Sequence, residues 1–117
     1  MIAVIFEVRP TPEGESAYLD HAAALNPLAN GFEGFLGVER YRSLTDPGKL
    51  LSLSFFEDED AVARWRKLPR HRVAQTDGRA SIFEDYRLRI AEVVRDYGLN
   101  DRAQAPPDAL ADLRPNR

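Results

Sequence analysis

The sequence predicts an α+β fold of the ferredoxin-like kind, a split βαβ arrangement in which helices cover one face of an antiparallel sheet. Three observations predict it. Residues 2–9 alternate as a strand does, residues 31–56 have the pattern of a β-hairpin, and helical spacing follows each of these segments. The predicted order is strand, helix, strand, strand, helices, strand, and 117 residues leave room for one such domain.

The first strand and first helix are predicted from alternation and capping residues. Residues 2–9 are mostly β-branched or aromatic, which is typical of a strand with one well-covered face. Thr11 followed by Pro12 offers a hydroxyl cap and a proline at the first helical position. The helix is therefore predicted to begin there and to run to about Asn26, stopped by Pro27 and the Asn30-Gly31 pair.

The hairpin is predicted from glycines, a turn and a second alternating run. Residues 31–43 hold three glycines among apolar side chains, which is typical of a strand bent by bulges or by the close approach of another backbone. Asp-Pro-Gly within residues 45–49 predicts a tight turn. After it, Leu51, Leu53 and Phe55 alternate with serines, so the two runs should pair.

The second helix is predicted to follow the hairpin. Asp58 can cap a segment in which Ala61, Trp65 and Leu68 fall at helical spacing. A proline then breaks the helix, and a second helical piece is predicted over roughly residues 70–79.

The last predicted element covers residues 82–97. Their apolar residues fit both a period of two and a helical period, and we predict a long strand from the β-branched and aromatic content and because a further strand completes the sheet. The proline-containing remainder predicts an extended or disordered tail. The domain should thus cover residues 1–100 and the tail residues 101–117.

Composition excludes several kinds of protein. The chain has no cysteine, so it has neither disulfides nor thiolate catalysis. Its net charge of −3 disfavours nucleic-acid binding, and we interpret the basic stretch at residues 64–72 as a solvated helix surface. No leader pattern or membrane-length apolar run is present, which predicts a soluble cytoplasmic protein. A small domain buries little surface alone, which favours a homodimer.

Several stretches carry a family resemblance. They are GFLGVERYRSLTDPGKLLSLSFFEDEDAVARWR at residues 34–66, His71, Gln75, Gly-Arg at 78–79, and DYRLRIAEVVRDYG at residues 85–98. Over roughly residues 2–100 the sequence resembles the antibiotic biosynthesis monooxygenase (ABM) family. The resemblance implies a dimeric α+β barrel with a pocket between the sheet and helices of each protomer.

The resemblance also implies candidate activities. Family members include oxygenases that oxidise quinol-like or polyketide aromatics with O2 and neither metal nor flavin, and relatives of the same fold bind and degrade haem. The haem-degrading relatives carry an asparagine on the first strand, where this chain has Phe6, Glu7 and Val8. The interval from Trp65 to His71 is also shorter than theirs, so haem is the weaker expectation.

His71 and Trp65 are the predicted catalytic residues. The imidazole of His71 can take a proton near neutral pH or hold an oxyanion, although a surface histidine fits the pattern as well. Trp65 shares the apolar face of its helix, so it can pack in the core, stack on a flat substrate, or do both. Arg72 can help to hold an anion. His21 has no partner that spacing identifies, and we interpret it as an ordinary helix histidine.

Aromatic residues on the predicted strands are candidate substrate contacts, with core packing as the alternative for each. They are Tyr86, Tyr41, Phe6, Phe35 and Phe55.

The function predicted from these residues and the resemblance is a cofactor-independent monooxygenase acting on a phenolic, quinol-like or polyketide aromatic. One alternative is a haem-binding or haem-degrading enzyme with His71 as the axial ligand. The other is a non-catalytic dimer that binds a small aromatic ligand. No metal-ligand spacing is present, and no metal is expected.

Overall fold

The computed structural model describes residues 1–68 and 82–108. Its elements are β1 (Ile2–Pro10), α1 (Glu15–Asn30), β2 (Phe35–Arg42), β3 (Leu50–Phe56), α2 (Glu59–Arg66) and β4 (Phe83–Glu92). The strands form one antiparallel sheet in the order β2-β3-β1-β4. The predicted α+β ferredoxin-like fold is confirmed. The helical piece predicted over residues 70–79 lies outside the described residues.

Both helices pack on the same face of the sheet. Beneath α2, Ile2 and Phe56 form a buried cluster with Ala61 and Val62. A second buried cluster, beneath α1, is formed by Val8, Tyr18, Leu50 and Ile82. Even-numbered residues of the two central strands thus point toward the helices, as the two-residue period of a strand requires.

Each edge strand carries a bulge of one residue. In β2 the register against β3 shifts between Phe35 and Gly37, so Leu36 is the extra residue. In β4 the register against β1 shifts in the same way, and Glu84 is the extra residue. An extra residue reverses the alternation beyond it, because side chains on a strand change face at every step. The bulge predicted within residues 31–43 is confirmed; the one in β4 had no sequence signal.

The predicted bounds of the first helix are wrong. The backbone N–H of Thr11 donates to the carbonyl of Ile82 at 2.8 Å, and its side chain turns to the same oxygen, so Thr11 ties two chain segments together. The helix begins at Glu15, after Gly14, which cannot be replaced without a shift because an added Cβ would lie 2.5 Å from the Ile82 oxygen.

At its other end, α1 continues through Pro27 to Asn30. A proline this close to the end of a helix removes one hydrogen bond of the last turn. Ala29 in that turn is only 4% exposed, and its burial helps to hold the turn in place.

The second helix and last strand form as expected. The backbone N–H of Ala61 donates to Asp58 Oδ1 at 2.8 Å, which confirms the predicted cap. The last strand was predicted over residues 82–97. The observed strand β4 ends earlier, at Glu92, because Glu92 pairs with Ile2, the first residue of β1. The prediction of an extended or disordered tail over residues 101–117 stays a prediction.

Neither helix covers the opposite face of the sheet, which we call the open face. Its centre is apolar and is formed by Ala3, Ile5, Leu51, Leu53 and Phe55. Its charged side chains lie toward one end and the edges. There Glu7 binds Lys49 at 2.9 Å and Arg89 at 3.1 Å.

Candidate functional site

A cavity of about 290 Å³ lies between the sheet and the helices. This volume is near the lower limit of about 300–1,000 Å³ for small-molecule sites, so the cavity suits a small ligand. All four strands and both helices contribute to its walls, which are mostly apolar and aromatic. On the β4 side Tyr86, Leu88 and Ile90 remain 43–47% exposed, so among the described residues this is the least covered wall.

Aromatic rings gather at the end of the cavity nearest α1. Phe6 lies 5.7 Å from both Phe83 and Tyr86, measured between ring centroids, and 6.4 Å from Tyr18. Phe83 reaches this group because the bulge at Glu84 places it on the same face as Tyr86. The rings meet at tilted or edge-to-face angles, which are the favoured arrangements for aromatic pairs.

Trp65 forms the other end of the cavity. Its ring lies 5.3 Å from that of Phe32, edge to face, and 6.4 Å from that of Phe35 at an interplanar angle of 23°. It also packs on the buried cluster beneath α2 while one side faces the cavity. The two interpretations of Trp65, core packing and cavity wall, therefore hold together.

A small polar group interrupts the apolar walls, and we call Tyr18, Arg40 and Ser52 the polar cluster. Tyr18 on α1 is 8% exposed. Burial raises the pKa of its phenol, whereas the charge of Arg40 and hydrogen bonds with Arg40 and Ser52 act in the opposite direction. At neutral pH the Tyr18 hydroxyl therefore stays protonated and can donate a hydrogen bond.

Arg40 keeps hydrogen-bonding capacity within this cluster. Its Nη1 donates to Asn26 Oδ1 over 3.3 Å. Its Nε atom is buried and has no hydrogen-bond partner among the described residues. A buried donor without an acceptor is costly, and such groups usually meet an acceptor supplied by water or ligand.

The charges that face the cavity have one sign. Arg40 and, at an exposed position, Arg66 line it, and the described lining residues include no aspartate or glutamate. The whole chain, in contrast, has 19 acidic and 16 basic residues. The cavity is thus locally basic in an acidic protein.

The predicted site residues separate into three sets. Trp65, Phe6, Phe35 and Tyr86 line the cavity. Two do not line it, Tyr41 and Phe55, because the strand register places them on the open face. The hydroxyl of Tyr41 there donates to Glu39. The last two, His71 and Arg72, lie outside the described residues.

The polar cluster and His21 were missed by sequence reasoning. Tyr18, Arg40 and Ser52 come from three elements, and no spacing rule connects them. One signal was available, since Ser52 and Ser54 alternate with apolar residues in β3 and small polar residues on a helix-covered face leave space for a cavity. His21 was interpreted as an ordinary helix histidine, whereas it lies at the cavity wall.

Fold and cavity together define the class, a small α+β protein built around a mostly apolar chamber between a ferredoxin-like sheet and its helices. The sequence model of the family described as "Antibiotic biosynthesis monooxygenase" matches residues 1–77. The chain belongs to this ABM family.

Individual relatives agree with that membership. A Pyricularia oryzae protein named "Jasmonate monooxygenase ABM" is 44% identical over 101 residues, which is 86% of this chain. The match spans 47% of that relative, so this chain corresponds to about half of its length. The Bacillus subtilis protein YqjZ is 34% identical over 80% of this chain and 79% of its own length.

The fold is also shared with solved structures. Rv0793 from Mycobacterium tuberculosis superposes with a TM-score of 0.74 over 83% of this chain and 98% of its own, at 16% sequence identity. Among the described residues, no helix has the length and apolar character needed to span a membrane.

Proposed function

We propose that the chain is a monooxygenase that oxidises a small, flat, mostly apolar substrate with O2 and without a cofactor. The substrate class is a phenolic, quinol-like or polyketide aromatic. The observation that carries the proposal is the cavity itself, with aromatic rings at both ends and a few polar groups between them. Such walls can hold a planar molecule by stacking.

In this reaction the substrate supplies all the electrons. A phenol with an oxidisable ring CH2 loses a proton, and its electron-rich anion reacts with O2. One oxygen atom becomes a ring carbonyl, the other leaves as water, and the substrate loses four electrons. The protein has to remove the proton, exclude water and stabilise negative charge on oxygen.

The proton acceptor in this proposal is an imidazole. His71 is the predicted base, and its position lies outside the described residues. His21 is the imidazole that the structure places at the cavity wall. Trp65 serves as the stacking wall, and Trp65→Ala is expected to raise KM more than it lowers kcat because stacking binds substrate and transition state alike.

Oxygen uptake tests the proposal. Purified chain without added metal, flavin or haem is screened with anthrone-type phenols, simple quinols and jasmonate, the compound in the name of the P. oryzae relative. Wild type is compared with His71→Ala and His21→Gln, and Tyr41→Phe on the open face serves as the control. We expect wild type to consume oxygen in step with product formation. The variant that lacks the base should consume it about a hundredfold more slowly, or slower still. If no compound gives oxygen uptake, the monooxygenase proposal fails and the non-catalytic ligand-binding alternative is favoured.

The haem alternative has its own measurement. Haem is titrated into the chain and into His71→Ala, and the Soret band is followed. A band that stays at the position of free haem agrees with cofactor-independent chemistry, whereas a shift that His71→Ala removes would favour the haem reading.

The proposed assembly is a homodimer that pairs the open faces of two copies. The apolar centre of that face, which includes Leu53 and Phe55, has no cover from the described helices, and a partner sheet would remove it from water. Light scattering during size-exclusion chromatography measures the mass directly. A stable monomer at micromolar concentration would contradict this assembly.

A further inference from the structure

We propose that the polar cluster of Tyr18, Arg40 and Ser52 binds a carboxylate carried by the otherwise apolar substrate. The inference rests on the proposed function in so far as the ligand of this cavity is the substrate. It adds the chemical class of that ligand, an apolar organic acid that enters as its anion.

Charge is the first argument. Arg40 is a partly buried cation of the lining, whereas Arg66 beside it is exposed to solvent, and the described lining includes no carboxylate to neutralise Arg40. An isolated charge in an apolar chamber is unfavourable unless a counter-ion is present. A ligand with one negative charge supplies that counter-ion.

Hydrogen-bonding capacity is the second argument. The buried Nε of Arg40 has no acceptor among the described residues. Nη1 donates to the neutral amide oxygen of Asn26 at 3.3 Å, and the guanidinium also binds the neutral Tyr18 hydroxyl. Arginine binds carboxylates through two parallel N–H groups, a geometry that Nε and one Nη can offer. The hydroxyls of Tyr18 and Ser52 can donate to the same anion.

A neighbouring arginine shows the contrast. Arg42 lies two residues further along β2 and binds Glu15 at 2.9 Å, and it also donates to the carbonyl oxygen of Pro47. Arg42 does not line the cavity. Its charge is matched by an acidic residue of the chain itself, whereas the Asn26 amide and the Tyr18 hydroxyl that Arg40 contacts are both neutral.

Matched acid and ester pairs test the proposal by isothermal titration calorimetry near neutral pH. The probes are jasmonate with methyl jasmonate and 4-phenylbutyrate with its methyl ester. Esterification removes the charge and keeps the apolar body. Since hydrogen bonds to a charged group are the stronger kind, we expect each acid to bind about tenfold more tightly than its ester, or more.

Substitutions test whether the preference for acid over ester comes from the polar cluster. Arg40→Met should reduce the acid-to-ester ratio to about one while ester binding changes little, and Arg42→Met should keep the ratio of wild type. Tyr18→Phe keeps the packed ring and removes only the hydroxyl, so it should lower the ratio by a few-fold even if Arg40→Met fails to fold.

The outcomes separate this inference from the proposed function. Equal binding of acids and esters, or binding of neither, overturns the carboxylate site, even if neutral phenols support oxygen uptake. A preference for acids that Arg40→Met leaves intact also overturns it. A preference that Arg40→Met removes supports it, and would do so even if no compound gave oxygen uptake and the monooxygenase proposal failed.

Discussion

In the middle of β3, between the buried Leu50 and Phe56, the face that carries the helices presents Ser52 and Ser54. On the open face the same strand presents Leu51, Leu53 and Phe55. A protein that functioned alone would be expected to turn the apolar set toward its own helices. The reversed arrangement leaves space and polar groups beneath the helices and an apolar surface outside. The proposed ligand site and the proposed dimer contact therefore lie on opposite faces of the same strands.

The largest expected effect comes from the helix-covered face. Phe56 is 2% exposed and packs against Phe35 at 5.6 Å between ring centroids. Phe56→Ala should lower the free energy of unfolding by about 3–5 kcal/mol, because the surrounding cluster cannot close the space. Urea denaturation measures it, with Phe55→Ala on the open face as the control. At concentrations where the chain is monomeric, Phe55→Ala should lower the free energy of unfolding by about 1 kcal/mol. Equal losses in the two variants would mean that the two faces contribute equally to the stability of the monomer.

The open face is tested by a charge at its centre. Leu53→Lys should weaken dimer formation by about a hundredfold, because an unpaired ammonium would be buried between the sheets. Sedimentation equilibrium measures the dissociation constant. Leu44→Lys is the matched control, since Leu44 is fully exposed in the β2–β3 connection. If both variants associate as wild type does, another surface joins the copies.

A smaller effect is expected at the start of α2, which positions Trp65. Asp58→Ala removes the side-chain acceptor for the Ala61 N–H and should cost about 1 kcal/mol in thermal or urea unfolding. Asp60→Ala is the control, because Asp60 lies in the same first turn without being the cap. Its exposed ion pair with Arg64, four residues on, is worth about 0.5 kcal/mol or less. Similar losses in the two variants would show that the cap does not hold the helix.

The smallest effect concerns pH and the charged end of the open face. A hydrogen bond from Lys49 is the main reason that the pKa of Glu7 lies below its usual 4.5; partial burial opposes it, and Arg89 adds to it. Because the folded pKa is the lower one, this contact stabilises the protein above the unfolded pKa and is lost as pH falls through the folded value.

Glu7→Gln should therefore be less stable than wild type near neutral pH, and the difference should shrink as the pH is lowered below 4.5. Urea midpoints of both proteins at several pH values measure it. A difference that stayed constant across this range would exclude ionisation of Glu7 as its origin.

Sequence reasoning succeeded where the deciding signal is local. The hairpin turn, the glycine-associated bulge in β2 and the Asp58 cap are each determined within a few residues, and all are present. It failed at Thr11, because the partner that occupies this threonine, Ile82, is 71 positions away. Tertiary contacts of that kind override a local capping preference.

The candidate site shows the same division. Trp65 and Phe6 were predicted at the cavity from their type and spacing, and both line it. Phe55 was placed on the wrong face because alternation gives two sets of side chains without stating which set faces the helices. Arg40 and Tyr18 meet only through the pairing of distant elements, which no pattern within one segment encodes.

The bulges at Leu36 and Glu84 have a consequence for how such a chamber can change over evolution. Both lie in edge strands, while the two central strands pair without interruption. Loss or gain of a single codon at either position would exchange the inward and outward side chains of one wall and leave the middle of the sheet intact. Members of such a lineage could acquire new substrates by small insertions and deletions at the rim.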